Sequence, residues 1–201
     1  MNSTSVTRFT KSLNLSRAAA AYADLSPDSI RTLNVRPSRY QHLIDPNPLQ
    51  AGIDLHAVLS LLGNRDPLSP KDKGYFPYLA TLRGHLQHLG VESLVPEQPL
   101  APVAPIGYSQ CDLLVRGGRG LAPKGVVEIK VVQDDPEPRR GVHFCQTGLY
   151  ARMAAGLWGD FDNVWAALVY MDLGRHTIDV LRFCSARQLI FRAMDLWQEA
   201  A

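Results

Sequence analysis

Three charged residues stand where apolar strands would normally exclude them. Asp112 opens the run CDLLV, while Glu128 and Lys130 sit inside VVEIKVV, and a Gly-rich loop joins the two runs within Gln110–Gln133. Alternation along a strand sends Glu128 and Lys130 to one face and Ile129 into the core. In a hairpin, Asp112 comes to lie beside Glu128. Two carboxylates and an ammonium in an apolar sheet are costly unless they are paired or hold a metal. Together with the carbonyl of Ile129, the carboxylates make a hard oxygen site for Mg²⁺, whose remaining ligands are waters and a substrate phosphate. A metal there lowers the pKa of a bound water and neutralises charge on the phosphate. Lys130 can orient that water or stabilise the transition state. The chemistry that suits this set is hydrolysis of a phosphodiester. Taken singly, Glu128 and Lys130 also read as an ordinary ion pair on an edge strand.

The elements that must position these residues follow from periodicity. Before them, LQAGIDLHAVLSLLG has apolar residues at helical spacing and is stopped at Gly63-Asn64, with Gly52 and His56 on one face. A Pro-rich polar loop leads to a second amphipathic helix, GYFPYLATLRGHLQHLG. SLVPEQPLAPV is interrupted by prolines, which confines it to a sheet edge. After Lys130, DDPEPRRG reads as a mobile charged loop whose Arg139 and Arg140 can meet a phosphate backbone. HFCQTGLYARMAAGLW is a helix with Gln146 and Tyr150 four apart on one face. A strand pair, VWAALVYMDL and HTIDVLRF, and a last helix, SARQLIFRAMDLWQEA with Ser185 as N-cap, close the chain. At the start, SLNLSRAAAAYADL reads as one helix, and Ser26-Pro27-Asp28-Ser29 and Arg36-Pro37-Ser38-Arg39 as helix starts. The expected fold is α/β, a central mixed β-sheet flanked by helices, with residues 1–34 as a helical extension and 35–201 as the main domain.

Composition sets limits on function. The chain has 201 residues, enough for one domain with a real core, and its 46% hydrophobic and 20% charged residues exclude a disordered chain. A net charge of +2 does not decide for or against nucleic acid, because phosphate binding needs only a local basic strip. Cys111, Cys145 and Cys184 are odd in number and far apart, which argues against a disulfide framework and for a reducing compartment. They are too few for a four-thiolate iron–sulfur or zinc site. No run approaches a membrane span, so no membrane partner is expected. The expected compartment is the cytoplasm, or an organelle matrix if the acid-free first 23 residues act as a transit peptide.

Asp112 followed by Glu128-Ile129-Lys130 resembles the signature of the PD-(D/E)XK nuclease superfamily, with Cys111 in place of the motif's proline. The order Gly52-x-x-x-His56, Glu97, Asp112, Glu128-Ile129-Lys130, Gln146-x-x-x-Tyr150 is similar to its RecB-like branch, over roughly residues 35 to 185. That branch includes the CRISPR-associated iron–sulfur exonucleases and the mitochondrial genome maintenance exonuclease. The resemblance implies a restriction-endonuclease-like core. It makes His56, Asp112 and Glu128 metal ligands with the Ile129 carbonyl, Lys130 the catalytic lysine, and Gln146 and Tyr150 supports for the active site and the DNA strand. The implied activity is a Mg²⁺- or Mn²⁺-dependent DNA nuclease acting on ends or single strands. A structure- or sequence-specific endonuclease and a non-catalytic DNA-binding subunit are the alternatives, and retention of both acids and the lysine favours catalysis. No iron–sulfur cluster is implied, and unwinding would need a helicase or other partner.

Overall fold

A computed structural model of the chain describes residues 4–119, 121–133, 136–160 and 163–200. Of the loops read from the sequence, Gly120, Asp134 and Asp135 lie outside the described residues. The fold is α/β, as expected. A six-stranded mixed sheet runs in the order β1-β6-β5-β4-β3-β2, with helices on both faces. The strands are β1 (Ser29–Asn34), β2 (Val91–Leu100), β3 (Ser109–Gly117), β4 (Lys124–Val132), β5 (Val164–Asp172) and β6 (Thr177–Phe183). The helices are α1 (Val6–Ser12), α2 (Leu15–Ala21), α3 (Pro48–Asn64), α4 (Asp72–His88), α5 (Arg140–Trp158) and α6 (Arg187–Ala200).

Among the described strands, only β4 and β5 pair in parallel, and a parallel pair requires a crossover, which α5 supplies. This β4–α5–β5 unit is the centre of the molecule. Every residue of β5 is buried, in keeping with its unbroken apolar sequence VWAALVYMD. On one face, Leu168, Val126 and Leu114 meet α5, α6 and the two N-terminal helices. On the other, Val127, Ile129 and Val169 meet Leu55, Val58, Tyr78 and Leu82 of α3 and α4. Helix α5 is wrapped by neighbours on most of its surface, and Gly148 lets α6 approach so closely that a Cβ there would overlap the Leu189 carbonyl.

Several helix ends follow local rules. Asn47 caps α3 by accepting the Leu49 N–H at 2.9 Å, and Pro48 occupies the first helical position, where its missing N–H does no harm. Arg65 rather than a glycine takes the left-handed conformation, φ 62°, that ends α3. Ser185 accepts the Arg187 N–H at 3.3 Å ahead of α6, as its sequence position suggests.

The first third departs from expectation. The single helix read over SLNLSRAAAAYADL is two, because Asn14 accepts the Arg17 N–H at 3.1 Å and starts α2 afresh, while α1 begins earlier under Ser5. Where Ser26-Pro27-Asp28-Ser29 reads as a helix start, the chain enters β1 and pairs antiparallel with β6, Ser29 opposite Arg182. The Arg36-Pro37-Ser38-Arg39 segment leads only to a 3-10 turn at Gln41–Leu43. Val6, Phe9 and Tyr22 belong to the same apolar cluster as α5, so residues before Val35 share the sheet and the core of the rest. Among the described residues, no helix is long and apolar enough to cross a membrane.

Candidate metal centre

The site lies where β3 and β4 part. Their ladder runs from Arg116 opposite Lys124 to Leu113 opposite Val127 and goes no further. Continuing that register would set Asp112 opposite Glu128, as a hairpin predicts. Instead of a backbone partner, the Ile129 N–H finds the Asp112 carboxylate, donating to Oδ2 at 2.6 Å. The N–H and C=O of one residue leave an extended strand on the same side. The Ile129 carbonyl therefore also opens toward β3, while its side chain is buried against α3 and α4.

Opposite Asp112 on the other side is Glu97. The β2–β3 ladder pairs Pro96 with Leu113 and Gln98 with Cys111, and between them Glu97 adopts a left-handed φ of 49°. A non-glycine residue in that region holds strain of about 1–3 kcal/mol, which the surroundings must enforce. Gln110 enforces it here, donating to the Glu97 carbonyl at 3.0 Å and to Oε2 at 2.7 Å. From α3, His56 reaches over the pair. Its Nδ1 is 3.0 Å from Glu97 Oε1 and 3.1 Å from Asp112 Oδ1. Ligand atoms of His56, Glu97 and Asp112 all lie within 4.8 Å of one another.

Glu128 and Lys130 point from β4 to the α5 face, as alternation requires. Lys130 Nζ turns back to Glu128 Oε1 at 2.5 Å, and the Glu128 side chain is only 2% exposed. Its other oxygen, Oε2, is buried with no hydrogen-bond partner among the described residues. An unpartnered buried carboxylate oxygen is expensive, and a bound cation would satisfy it.

The titration of the group reflects this crowding. Burial, then the Asp112 carboxylate, raise the Glu128 pKa to about 7 against the pull of Lys130. Burial lowers the Lys130 pKa, but Glu128 and Asp112 outweigh it and hold the ammonium above its ordinary value. Hydrogen bonds to Asp112 and Glu97 lift His56 to about 10, so without a metal the imidazole carries a proton and serves as the cation between the two acids. With His56 neutral, the three carboxylates against the one ammonium leave a formal excess of two negative charges, which a divalent ion neutralises. Carboxylates, a carbonyl and one imidazole form a donor set suited to Mg²⁺ or Mn²⁺. The residues fit such an ion.

Gln146 and Tyr150 stand behind the carboxylates and not on an open surface. Tyr150 is 3% exposed and Gln146 is 9% exposed. Gln146 Nε2 donates to the Tyr150 hydroxyl at 3.3 Å, and Thr7 Oγ1 of α1 is 3.2 Å from the same oxygen. Burial pushes the Tyr150 pKa up, and the Glu128 charge pushes it further, which places the phenol close to the acids. Both side chains therefore belong to the interior at this point and not to an exposed helix face.

Arg139 is exposed in the turn before α5, and Arg140, the first residue of that helix, pairs with Glu137 at 2.5 Å. The structure brings together His56, Glu97 and Asp112, with Ile129 bonded to Asp112 and Glu128 and Lys130 adjoining on β4. It leaves Arg140 occupied by an acid and sets Gln146 and Tyr150 behind the site. Glu97 stands in the motif order without a task, and no pattern in the sequence marks Gln110 or Thr7. Besides its place in the motif order, Glu97 is marked by its position between prolines in VPEQP, where an edge strand is already irregular.

No protein-family model matches the chain, and no curated protein matches it. Among solved structures, the crystal structure of SSO0001 aligns with 98% of this chain and 87% of its own at 16% identity and a TM-score of 0.33. A likeness at that level carries no argument about fold or function.

Proposed function

We propose that the protein is a metal-dependent DNA nuclease of the PD-(D/E)XK type, cutting at ends or in single strands. The observation that carries this reading is the convergence of His56, Glu97 and Asp112 beside a buried Glu128 oxygen with no partner. Glu97, Asp112, Glu128, His56 and the Ile129 carbonyl are the residues that would hold the ion. Once bound, a divalent ion supplies a lowered pKa for the attacking water and neutralises charge on the scissile phosphate.

The chain's own residues do the remaining work. Lys130, held at 2.5 Å from Glu128, is the fixed positive charge toward which a phosphate's developing charge is drawn. Asp112 spends one oxygen on the Ile129 N–H and so locks β4 to β3 at the point where the ladder ends. Gln110 holds Glu97 in its strained conformation, aimed at His56. Gln146 and Thr7 fix the Tyr150 hydroxyl as a neutral group at the rear of the acids.

The test is cleavage of end-labelled linear single-stranded, linear duplex and closed circular DNA with Mg²⁺, Mn²⁺ or EDTA. Loss of label from linear substrates with either metal, none with EDTA, and intact circles support an end-dependent nuclease. Cutting of circles makes it an endonuclease. No cleavage of any substrate under either metal defeats the proposal.

A further inference from the structure

Helix α1 sits beside the metal centre through two separate attachments. At its start, the Val6 N–H donates to Ser109 Oγ at 2.9 Å, and the Gly107 N–H donates to the Thr4 carbonyl at 2.9 Å. Ser109 is three residues before Asp112 on β3. On its next turn-face, Thr7 touches the Tyr150 hydroxyl, and that phenol feels the Glu128 and Asp112 charges. Val6, Phe9 and Thr10 are buried beneath the helix, while Thr7, Arg8 and Lys11 are exposed.

Thr7 and Lys11 are four apart and Arg8 and Lys11 three apart, so the three make one face leading away from the site. The charged residues on that face are both cations, and no acidic residue precedes Asp24. Arg17 pairs with Glu199, whereas Arg8 and Lys11 have no ion pair among the described residues. An unpaired basic face that continues from a phosphodiester-cutting centre is complementary to one occupant, a polyanionic strand. We infer that α1 forms the wall along which the DNA strand leaves the metal centre, with Arg8 and Lys11 contacting successive backbone phosphates. This rests on the nuclease reading and adds to it the path of the substrate. It also places the backbone contacts on α1 and not on Arg140, which already has an acid partner.

Contacts to phosphate carry no sequence information, and their removal weakens binding equally for all sequences. Each phosphate contact on a single strand contributes a slope of about −0.7 in log K against log salt. The experiment measures anisotropy of fluorescent oligo-dT and of a mixed-sequence oligonucleotide with the full chain in Ca²⁺, over a salt series. A gel checks that the strands stay whole. The proteins are wild type, Arg8→Ala/Lys11→Ala, and a control, Arg116→Ala/Arg119→Ala, whose charges lie at the β3–β4 hairpin, the far end of both strands from Asp112 and Glu128. Melting temperatures establish that each variant is folded.

The expected result is a salt slope shallower by about 1.4 in the α1 variant, equal for both oligonucleotides, and an unchanged slope in the control. An α1 variant that binds with the wild-type slope, while wild type binds and cuts, overturns the α1 path and leaves the nuclease reading standing. An equal fall in the control also overturns it, since the effect would then be diffuse charge. Wild type that neither binds strands nor cuts them with Mn²⁺ removes the nuclease reading, and the path with it.

Discussion

At the scale of residues, the centre is held by compensations that fail when one member is taken away. Glu128→Ala removes a buried carboxylate whose Oε2 has no donor, so the metal-free fold should survive while cleavage falls. The expected loss for Glu128→Ala, Asp112→Ala and Lys130→Ala is at least 10²-fold in turnover, about 3 kcal/mol of transition-state stabilisation, by analogy with removal of one electrostatic catalyst. Circular dichroism and a labelled-strand assay together check it, and wild-type rates in all three would contradict the assignment. Tyr150→Phe is a subtler case. It leaves Gln146 and Thr7 facing an empty position behind the acids, so turnover should drop with strand affinity unchanged. A change in affinity with constant turnover would return Tyr150 to the strand-binding role that its burial speaks against.

At the scale of elements, α5 and the strands it bridges decide where Lys130 sits. Gly148→Ala pushes a methyl against the Leu189 backbone and forces α6 away from α5. Overpacking of this kind costs roughly 1–3 kcal/mol, so the urea midpoint should fall with the slope of the transition retained. An unchanged midpoint would mean that the α5–α6 contact yields easily.

His143, on the first turn of α5, reports on the same packing through pH. Burial, Lys130 and Arg139 lower its pKa to about 3, and its Nδ1 lies 3.0 Å from the Tyr170 hydroxyl. In the unfolded chain the same imidazole titrates near 6.5, roughly the value for a free histidine. Between those values the unfolded state binds the extra proton, so stability is lost as pH falls through this window. Melting temperature should therefore drop more between pH 7 and pH 5 in wild type than in His143→Gln. Parallel pH dependences would show that His143 is not held neutral.

At the scale of the molecule, what could be read in advance was what the chain builds from near neighbours. The β3–β4 hairpin, the α5 crossover and the β5–β6 hairpin each join elements adjacent in sequence, and their apolar periods identify them without knowledge of the rest. The pairing of Ser29 with Arg182 has no such local trace, and β1, with most of its residues outward or half-buried, lacks the alternation that marks a strand. The same holds for Thr7 against Tyr150 and for Glu97, whose task exists only because α3 delivers His56 to it across the sheet. The division at residue 34 also reads differently in three dimensions. Deleting residues 1–34 removes an edge strand together with Val6, Phe9 and Tyr22 from the core, so the remaining chain should melt far below the intact protein or aggregate. A truncated chain with the full melting temperature would contradict a shared core.

Every role proposed for these side chains depends on whether the group binds a divalent ion. Calorimetric titration of Mn²⁺ into wild type, Glu97→Gln and Asp112→Asn tests it most directly. One binding event is expected in wild type, at least tenfold weaker affinity in Glu97→Gln, and near-complete loss in Asp112→Asn, where the ligand that also holds Ile129 loses its charge. Binding of equal strength in all three proteins, or none in wild type, would contradict it.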